Sequence, residues 1–306
     1  MTVPRIVEFA SEGVTLRGRL YEWPTASRPR PIVIMAHGFS ATICGMVADR
    51  YADVFHAAGF DVLLYDHRSF GISDGEPRCV IDAFGQARGY RSAIDFAEGL
   101  PGVDRDRIAL WGDSLSGGAT IAAGAVDPRV AAVVAQVPAC GSQVPPLHDA
   151  ASLFDLRCRP YLDSSRVSSH AVTRRGPMPV VSCDQVGMPS LLTPITAYRW
   201  FIEYGGRHGT HWVNRAEVVV PVEPALWSPV LCATQLKAPS LFMIAPDDEM
   251  PGAEPRVARV AFEQARSPQK EMCEIEGGHF GLLHFPSALF DLASGVQRSF
   301  LLRHLS

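Results

Sequence analysis

Short apolar runs recur along the chain, and segments with helical spacing separate them. Five of these runs are long enough to form buried strands: residues 31–36, 61–65, 107–111, 130–135 and 240–245. Strands that are apolar almost without interruption are typical of a parallel sheet covered on both faces. Apolar residues at helical spacing occur in residues 46–58, 82–98 and 116–126. The alternation of strand and helix predicts an α/β fold with a doubly wound, mostly parallel sheet.

The two ends of the chain depart from this alternation. Residues 6–9 and 14–23 alternate apolar and polar positions and are joined by a short turn that ends at Gly13. That pattern favours a half-exposed antiparallel hairpin at one edge of the sheet. At the other end, residues 287–302 have the spacing of an amphipathic final helix.

The strand-helix alternation stops in the third quarter of the chain. From residue 141 to residue 235, Pro, Ser, His and Arg become frequent and no repeat of strand and helix is visible. We interpret residues 141–235 as an inserted, mainly helical cap. The core is then expected to comprise residues 1–140 and 236–306.

Composition limits the kinds of partner. The chain has 306 residues, 47% of them hydrophobic, which is enough to bury the core of one large domain. Its net charge of −4 arises from charges mixed along the sequence, with no basic block that could neutralise phosphates. We therefore expect a small-molecule substrate and no nucleic acid, and a homodimer is possible.

The amino terminus and the cysteines bear on location and cofactors. Charged residues and a proline interrupt every early apolar run, so we expect no signal peptide, no membrane span and a cytoplasmic location. Seven cysteines without a CxxC pair suit neither a disulfide framework nor a zinc site. His208 and His211 supply only two of the three or four ligands that zinc needs. We expect no metal and no cofactor.

Ser114 is the candidate nucleophile. It follows a predicted strand and precedes a predicted helix, in the sequence Gly112-Asp-Ser-Leu-Ser116. A serine on so sharp a turn needs small residues two positions before and after it. Gly112 and Ser116 meet that limit, although the usual motif has glycine where this chain has Ser116. The helix that follows would direct its free N–H groups at a developing negative charge.

Two backbone N–H groups are candidates for an oxyanion hole. Acyl transfer places negative charge on the carbonyl oxygen, and preorganised donors stabilise that charge. In this architecture one donor belongs to the residue after the nucleophile, here Leu115. The other belongs to the loop after the third strand, where His37-Gly38 leads to Phe39.

An acid and then a base follow the serine, which matches the expected chain order of Ser, then Asp or Glu, then His. A serine hydroxyl needs a histidine to accept its proton, and that histidine needs a carboxylate to orient it. An acidic turn, Asp247-Asp248-Glu249, follows the strand predicted at 240–245, and His279 lies between glycines after the last predicted strand. Both segments can converge on Ser114 at the carboxyl edge of the sheet.

With these residues in view, the chain resembles the α/β-hydrolase superfamily over nearly its whole length outside the cap. Residues 111–118, the Asp127-Pro128 turn and residues 248–251 look similar to thioesterase-like hydrolases and polyketide acyltransferases. The resemblance implies that the acid lies about nine residues after the proline that opens its strand. Counted from Pro239, that position is Asp248, while Asp247 and Glu249 stay open as alternatives.

Other histidines and one aspartate compete less well for these roles. His284 is expected to pack or to cap the incoming helix, and His67 to stabilise the turn after the fourth strand. Asp113 precedes the nucleophile, so its side chain should leave the turn on the opposite side and make a structural hydrogen bond.

Aromatic residues of the cap are candidates for contact with the substrate. Tyr198, Trp200, Phe201 and Tyr204 lie at helical spacing. They could hold the cap on the core, and Tyr198, Trp200 and Phe201 could also line an acyl pocket, since small-molecule sites are mostly apolar.

The expected function is hydrolysis of an ester, thioester or related acyl bond through an acyl-enzyme on Ser114. An acyltransferase or cyclase of polyketide-like biosynthesis would use the same residues. A non-catalytic binding module is the alternative from a different class, although such a protein typically lacks one of the three residues.

Overall fold

The apolar runs of the sequence form the strands of one large sheet. The computed structural model describes residues 3–23, 29–163 and 172–306. In these residues the strands are β1 (Arg5–Ser11), β2 (Val14–Tyr21), β3 (Arg30–Ala36), β4 (Asp61–Tyr65), β5 (Val80–Ile81), β6 (Val103–Asp113), β7 (Val130–Gln136), β8 (Val172–Met178), β9 (Ala216–Pro221), β10 (Ser240–Ile244) and β11 (Lys270–Glu274). Eight of them form a sheet in the order β1-β2-β4-β3-β6-β7-β10-β11.

The sheet is parallel except at one edge. Only β1 with β2 and β2 with β4 pair in the antiparallel sense, and every other neighbour in the sheet is parallel. The predicted edge hairpin and the mostly parallel α/β sheet are therefore confirmed.

Helices cover both faces of the sheet. They are α1 (Ala48–Ala57), α2 (Ala83–Glu98), α3 (Ser114–Val126), α4 (Ala150–Arg157), α5 (Arg159–Leu162), α6 (Ile195–Trp200), α7 (Pro229–Ala233), α8 (Pro255–Gln264) and α9 (Ala288–Leu305). A π-helical turn, Phe201–Gly205, continues α6, and a 3₁₀ turn, Gly281–Leu283, precedes α9. No helix in the described ranges is long and apolar enough to span a bilayer.

Two hydrophobic clusters explain why the strands are apolar without interruption. Along β3, Val33 and Met35 belong to one cluster, while Ile32 and Ile34 belong to the other. Successive side chains of a strand point to opposite faces, so both faces of the sheet are buried. The long α9 closes one face, beginning after Ser287, whose hydroxyl accepts a hydrogen bond from a backbone N–H of the first turn.

The segment predicted as a cap contains short helices and one pair of strands. Strands β8 and β9 pair antiparallel, and β9 also pairs with β5 from the other part of the chain. Sequence reasoning did not predict this strand pair. Residues 164–171 of the segment lie outside the described residues, and the division of the chain into core and cap stays a prediction.

Candidate active site

Ser114 lies at the turn between the central strand β6 and helix α3. Its φ of 53° is in the left-handed region, which is unfavourable for a residue with a side chain. A strained serine at a strand-to-helix turn is typical of an activated nucleophile. The turn requires glycine at position 112, because a Cβ there would lie 2.4 Å from the carbonyl oxygen of Ser116. Helix α3 begins at Ser114 itself, two residues before the start predicted from sequence.

Ser116 occupies the position where the usual motif has glycine, and its hydroxyl is fully buried. It donates a hydrogen bond to the carbonyl oxygen of His37 at 2.6 Å. Because that proton is used, the hydroxyl oxygen accepts from Nε2 of His67, 2.8 Å away. Burial, aided by the nearby charge of His37, lowers the pKa of His67 to about 3, so its ring is neutral. His67 thus stabilises the turn around the nucleophile through Ser116.

Asp248 and His279 form a buried pair at the carboxyl edge of the sheet. The Asp248 Oδ2 atom lies 2.7 Å from Nδ1 of His279, and both side chains are almost inaccessible. The other oxygen of Asp248 accepts from the backbone N–H of Met250 at 2.9 Å. Among the three acidic candidates, Asp248 is the one whose carboxylate contacts the ring, while Asp247 is exposed.

Glu249 has a different place in the same site. Its carboxylate accepts hydrogen bonds from the backbone N–H of His279 at 2.9 Å and from the hydroxyl of Thr196 on α6. Burial acts to raise its pKa, but these two hydrogen bonds prevail and lower the pKa below its usual value. A Cβ at position 278 would lie 2.4 Å from the Glu249 carboxylate, so Gly278 makes this approach possible. Sequence reasoning missed this role of Glu249.

The two candidate oxyanion donors lie beside the serine. Leu115 is the second residue of α3, so its N–H has no carbonyl of its own helix to bond. Among the described residues, the N–H of Phe39 likewise has no hydrogen-bond acceptor. A Cβ at Gly38 would lie 2.9 Å from Cβ of Ser114, so only glycine lets this loop approach the nucleophile so closely.

The Asp113 carboxylate binds the loop that carries Phe39, the second candidate oxyanion donor. Its carboxylate accepts from the N–H of Gly38 at 3.0 Å and lies 2.9 Å from Nδ1 of His37. Burial acts to lower the pKa of His37, but the charge of Asp113 and hydrogen bonds to Asp113 and to the carbonyl oxygen of Met46 raise it overall. As expected from its side of the turn, Asp113 makes structural hydrogen bonds.

Most of the candidate residues line one cavity. Ser114, Leu115, Phe39 and His279 all line a cavity of about 410 Å³, which falls within the usual size range of small-molecule sites. Most of its other lining residues are apolar. No hydrogen bond joins the Ser114 hydroxyl to His279 in the described part of the chain, and such contacts often tighten only when substrate binds.

The cap aromatics divide into two groups. Trp200 and Phe201 line the cavity, whereas Tyr198 lies outside its lining and close to Cys183. Trp200 also stacks on Phe280, with ring centroids 5.1 Å apart, and its Nε1 donates to the carbonyl oxygen of Leu283 at 2.8 Å. This one tryptophan therefore contacts both the cavity and the loop after His279.

The remaining sequence candidates lie away from this cavity. His284 packs against Tyr204, whose hydroxyl accepts from the backbone N–H of Phe285 at 3.0 Å. Within the described ranges, no three His, Cys, Asp or Glu side chains group as a metal site requires. All seven cysteines are free.

Comparison with a protein-family model matches residues 27–284 to the family described as serine aminopeptidase, S33. The matched stretch includes Ser114, Asp248 and His279.

Individual proteins are similar over different shares of their length. The chain is 38% identical over 135 residues to the quorum-quenching protein AidA of Acinetobacter baumannii, covering 44% of each chain. It is 40% identical over 133 residues to the thiohydrolase aneE of Aspergillus aculeatus, covering 43% of this chain and 41% of that one. In both curated relatives the match spans less than half of the protein. The crystal structure of the α/β-hydrolase GrgF from Penicillium aligns over 99% of each chain, with 28% identity and a TM-score of 0.72.

Proposed function

The chain belongs to the serine aminopeptidase S33 family of α/β-hydrolases, and we propose that it cleaves an ester or thioester through an acyl-enzyme on Ser114. The observation that carries the proposal is the buried contact of 2.7 Å between Asp248 Oδ2 and His279 Nδ1. His279 of this pair lines the cavity that Ser114 also lines.

The first step is activation of the serine. With its Nδ1–H donated to Asp248, His279 presents the lone pair of Nε2 as the proton acceptor. As Ser114 attacks the acyl carbonyl, its hydroxyl proton moves to Nε2, and the charge of Asp248 stabilises the resulting imidazolium. The attack forms the bond from Oγ to carbon and moves the carbonyl π electrons onto oxygen.

The tetrahedral oxyanion is stabilised by backbone donors. The free N–H groups of Leu115 and Phe39 are the proposed donors, and the amino terminus of α3 adds its dipole. Removing one such donor in a serine hydrolase costs about 3 kcal/mol of transition-state stabilisation.

Collapse and deacylation complete the cycle. His279 returns its proton to the leaving alcohol or thiol as the bond from the carbonyl carbon to that group breaks. A water molecule then gives a proton to His279 and attacks the acyl-enzyme, releasing the acid and regenerating Ser114. Each of the two half-reactions consumes and returns one proton at Nε2.

Acyl transfer is the second candidate function. The mainly apolar lining of the cavity favours it, since an apolar wall disfavours water near the acyl-enzyme. A curated relative named polyketide transferase grgF, 40% identical over 166 residues, supports the same candidate. The ratio of free acid to transferred product, measured with and without an acceptor alcohol, distinguishes the two functions.

Turnover of a simple ester and a simple thioester tests the proposal. Wild-type protein should hydrolyse p-nitrophenyl butyrate or the butyryl thioester of N-acetylcysteamine, and Ser114→Ala should lose that activity while keeping its fold. Ser299→Ala, an exposed serine of α9, is the matched control and should keep full activity. Equal turnover by Ser114→Ala and wild type would refute the assignment of the nucleophile.

A further inference from the structure

One arginine borders the otherwise mostly apolar cavity. In the described part of the chain, Arg175 on β8 is the single lysine or arginine among the residues that line the cavity. Its side chain is exposed, so it lies at the rim and not in the core. The other full charge in the lining that could balance it, Asp113, is already paired with His37.

Arg175 has no anionic partner among the residues that the structure describes. Its neighbour Arg174 forms an ion pair with Glu217 at 2.7 Å, but no carboxylate of the described residues pairs with Arg175. The positions outside those ranges, 1–2, 24–28 and 164–171, contain no aspartate or glutamate. The guanidinium therefore lacks an ion-pair partner in the described ranges, and the positions between them supply no carboxylate side chain.

The backbone of β8 separates the two arginines. Successive side chains of a strand face opposite sides, and Arg174 lines a different cleft together with Glu12 and His67. Directly after Arg175 the pairing of β8 with β9 shifts register, from Arg175 opposite Val218 to Met178 opposite Ala216. Such bulges redirect side chains and are frequent beside active sites.

Gly176 makes this bulge possible. Its φ is 110°, a conformation that side chains rarely adopt, and a Cβ there would lie 2.8 Å from the carbonyl oxygen of Ala216. Any residue other than glycine would be strained at position 176, so the bulge next to Arg175 depends on Gly176.

We infer that Arg175 binds an anionic oxygen group, a carboxylate or a phosphate, on the acyl donor that Ser114 attacks. The inference rests on the proposed function. A planar guanidinium presents paired N–H donors that match both groups. The apolar cavity then holds the uncharged part of the donor, and the rim holds its charge.

Two sources could supply the anion. It could be a carboxylate at the far end of the acyl chain, or a phosphate on the leaving thiol, as in coenzyme A. Each source has a matched pair of substrates: mono-p-nitrophenyl glutarate against its methyl ester, and butyryl-4′-phosphopantetheine against butyryl-pantetheine. The electrophilic carbonyl stays the same within each pair, so a difference in kcat/KM reports on the charge.

The variants Arg175→Gln and Arg174→Gln provide the comparison. Both remove one exposed arginine of β8, but only the first removes a cation from the cavity rim. We expect wild type to prefer the charged member of one pair, and Arg175→Gln to lose about tenfold in kcat/KM for it with little change for the neutral member. Arg174→Gln should keep the preference. The pair that shows the preference identifies the source of the anion.

Three results would overturn the inference: no preference in either pair, a preference that survives in Arg175→Gln, or an equal loss in Arg174→Gln. The rate of labelling by an uncharged fluorophosphonate separates this failure from failure of the proposed function. If wild type and Arg175→Gln are labelled equally fast while the preference is absent, only the role of Arg175 is refuted. If wild type is not labelled at all, the proposed function itself is refuted.

Discussion

Ser116 shows how one buried hydroxyl can be accommodated where a glycine is usual. The position tolerates a small side chain only if its polar atom finds partners, because a buried unsatisfied hydroxyl is costly. The carbonyl of His37 and the ring of His67 supply them. The sequence shows that a serine replaces the usual glycine. Its partners lie in the loops that follow β3 and β4, and residue spacing alone could not identify them.

The neutral state of His67 predicts a pH-dependent stability. Its native pKa of about 3 lies below the usual 6.5, so between those values the unfolded chain binds a proton that the native protein does not. The contribution of neutral His67 to the free energy of unfolding is therefore fully present above pH 6.5. It is lost as the pH falls below that value, by up to about 1.4 kcal/mol per pH unit. His67→Gln cannot titrate at this position, yet it keeps a donor for Ser116.

Urea unfolding at pH 7 and pH 5 measures this effect. Wild type should lose about 1–2 kcal/mol more than His67→Gln over that interval. An equal loss of unfolding free energy in the two proteins would show that His67 does not contribute to the pH dependence of stability.

Glu249 is predicted to position the loop of His279. In Glu249→Gln the negative charge that accepts from both the His279 N–H and the Thr196 hydroxyl is lost, so neither hydrogen bond is charge-assisted and the amide offers only one acceptor oxygen. We expect kcat to fall by about tenfold, the effect of one charge-assisted hydrogen bond, with KM little changed. Steady-state kinetics on p-nitrophenyl butyrate measure the change.

Neighbouring acids supply the comparison for Glu249. Asp247→Asn removes an exposed carboxylate of the same turn and should leave kcat near the wild-type value. Asp248→Asn should lose about 10³–10⁴ in kcat, because the amide disfavours the required tautomer of the histidine. A larger loss in Asp247→Asn than in Asp248→Asn would reverse the assignment of the acid.

At the scale of elements, strand periodicity determined most of what could be predicted. Uninterrupted apolar runs form the strands β3, β4, β6, β7 and β10, because both faces of the sheet are buried there. Such runs can be recognised in the sequence. Strands β8 and β9 were missed for the opposite reason. Most residues of β8 are exposed, and this strand shows no apolar run. Strand β9 does contain a short one, Val218 to Val220, but its pairing with β8 depends on contacts distant in sequence.

A buried polar contact attaches helix α9 to the sheet, and its removal should lower the free energy of unfolding. The side chain of Gln297 accepts from Trp111 Nε1 at 2.7 Å and donates to the Gln136 side chain at 2.5 Å. Gln297→Met keeps a side chain of similar size but leaves both partners unsatisfied. We expect the free energy of unfolding to fall by about 2–5 kcal/mol.

Chemical denaturation of Gln297→Met tests this contact. The control is Arg298→Met, the next and exposed residue of α9, which should change stability by less than about 0.5 kcal/mol. Equal stabilities of the two variants would mean that the buried amide contributes nothing to the docking of α9.

At the scale of the whole molecule, the resemblance to α/β-hydrolases is confirmed by the family match and by the similarity to GrgF. Sequence order predicted which loops meet, because the carboxyl ends of parallel strands share one edge. It could not predict which cap residues reach the cavity. Trp200 and Phe201 line it while Tyr198 does not, since the path of the cap depends on contacts such as that between Trp200 and Leu283.

Ser114 is the proposed nucleophile, and covalent labelling can locate the nucleophile without knowledge of the substrate. Wild-type protein is treated with an uncharged fluorophosphonate, digested and analysed by mass spectrometry to locate the modified residue. We expect one adduct on Ser114, with labelling abolished in Ser114→Ala. An adduct on a different residue, or labelling of Ser114→Ala at the wild-type rate, would contradict it.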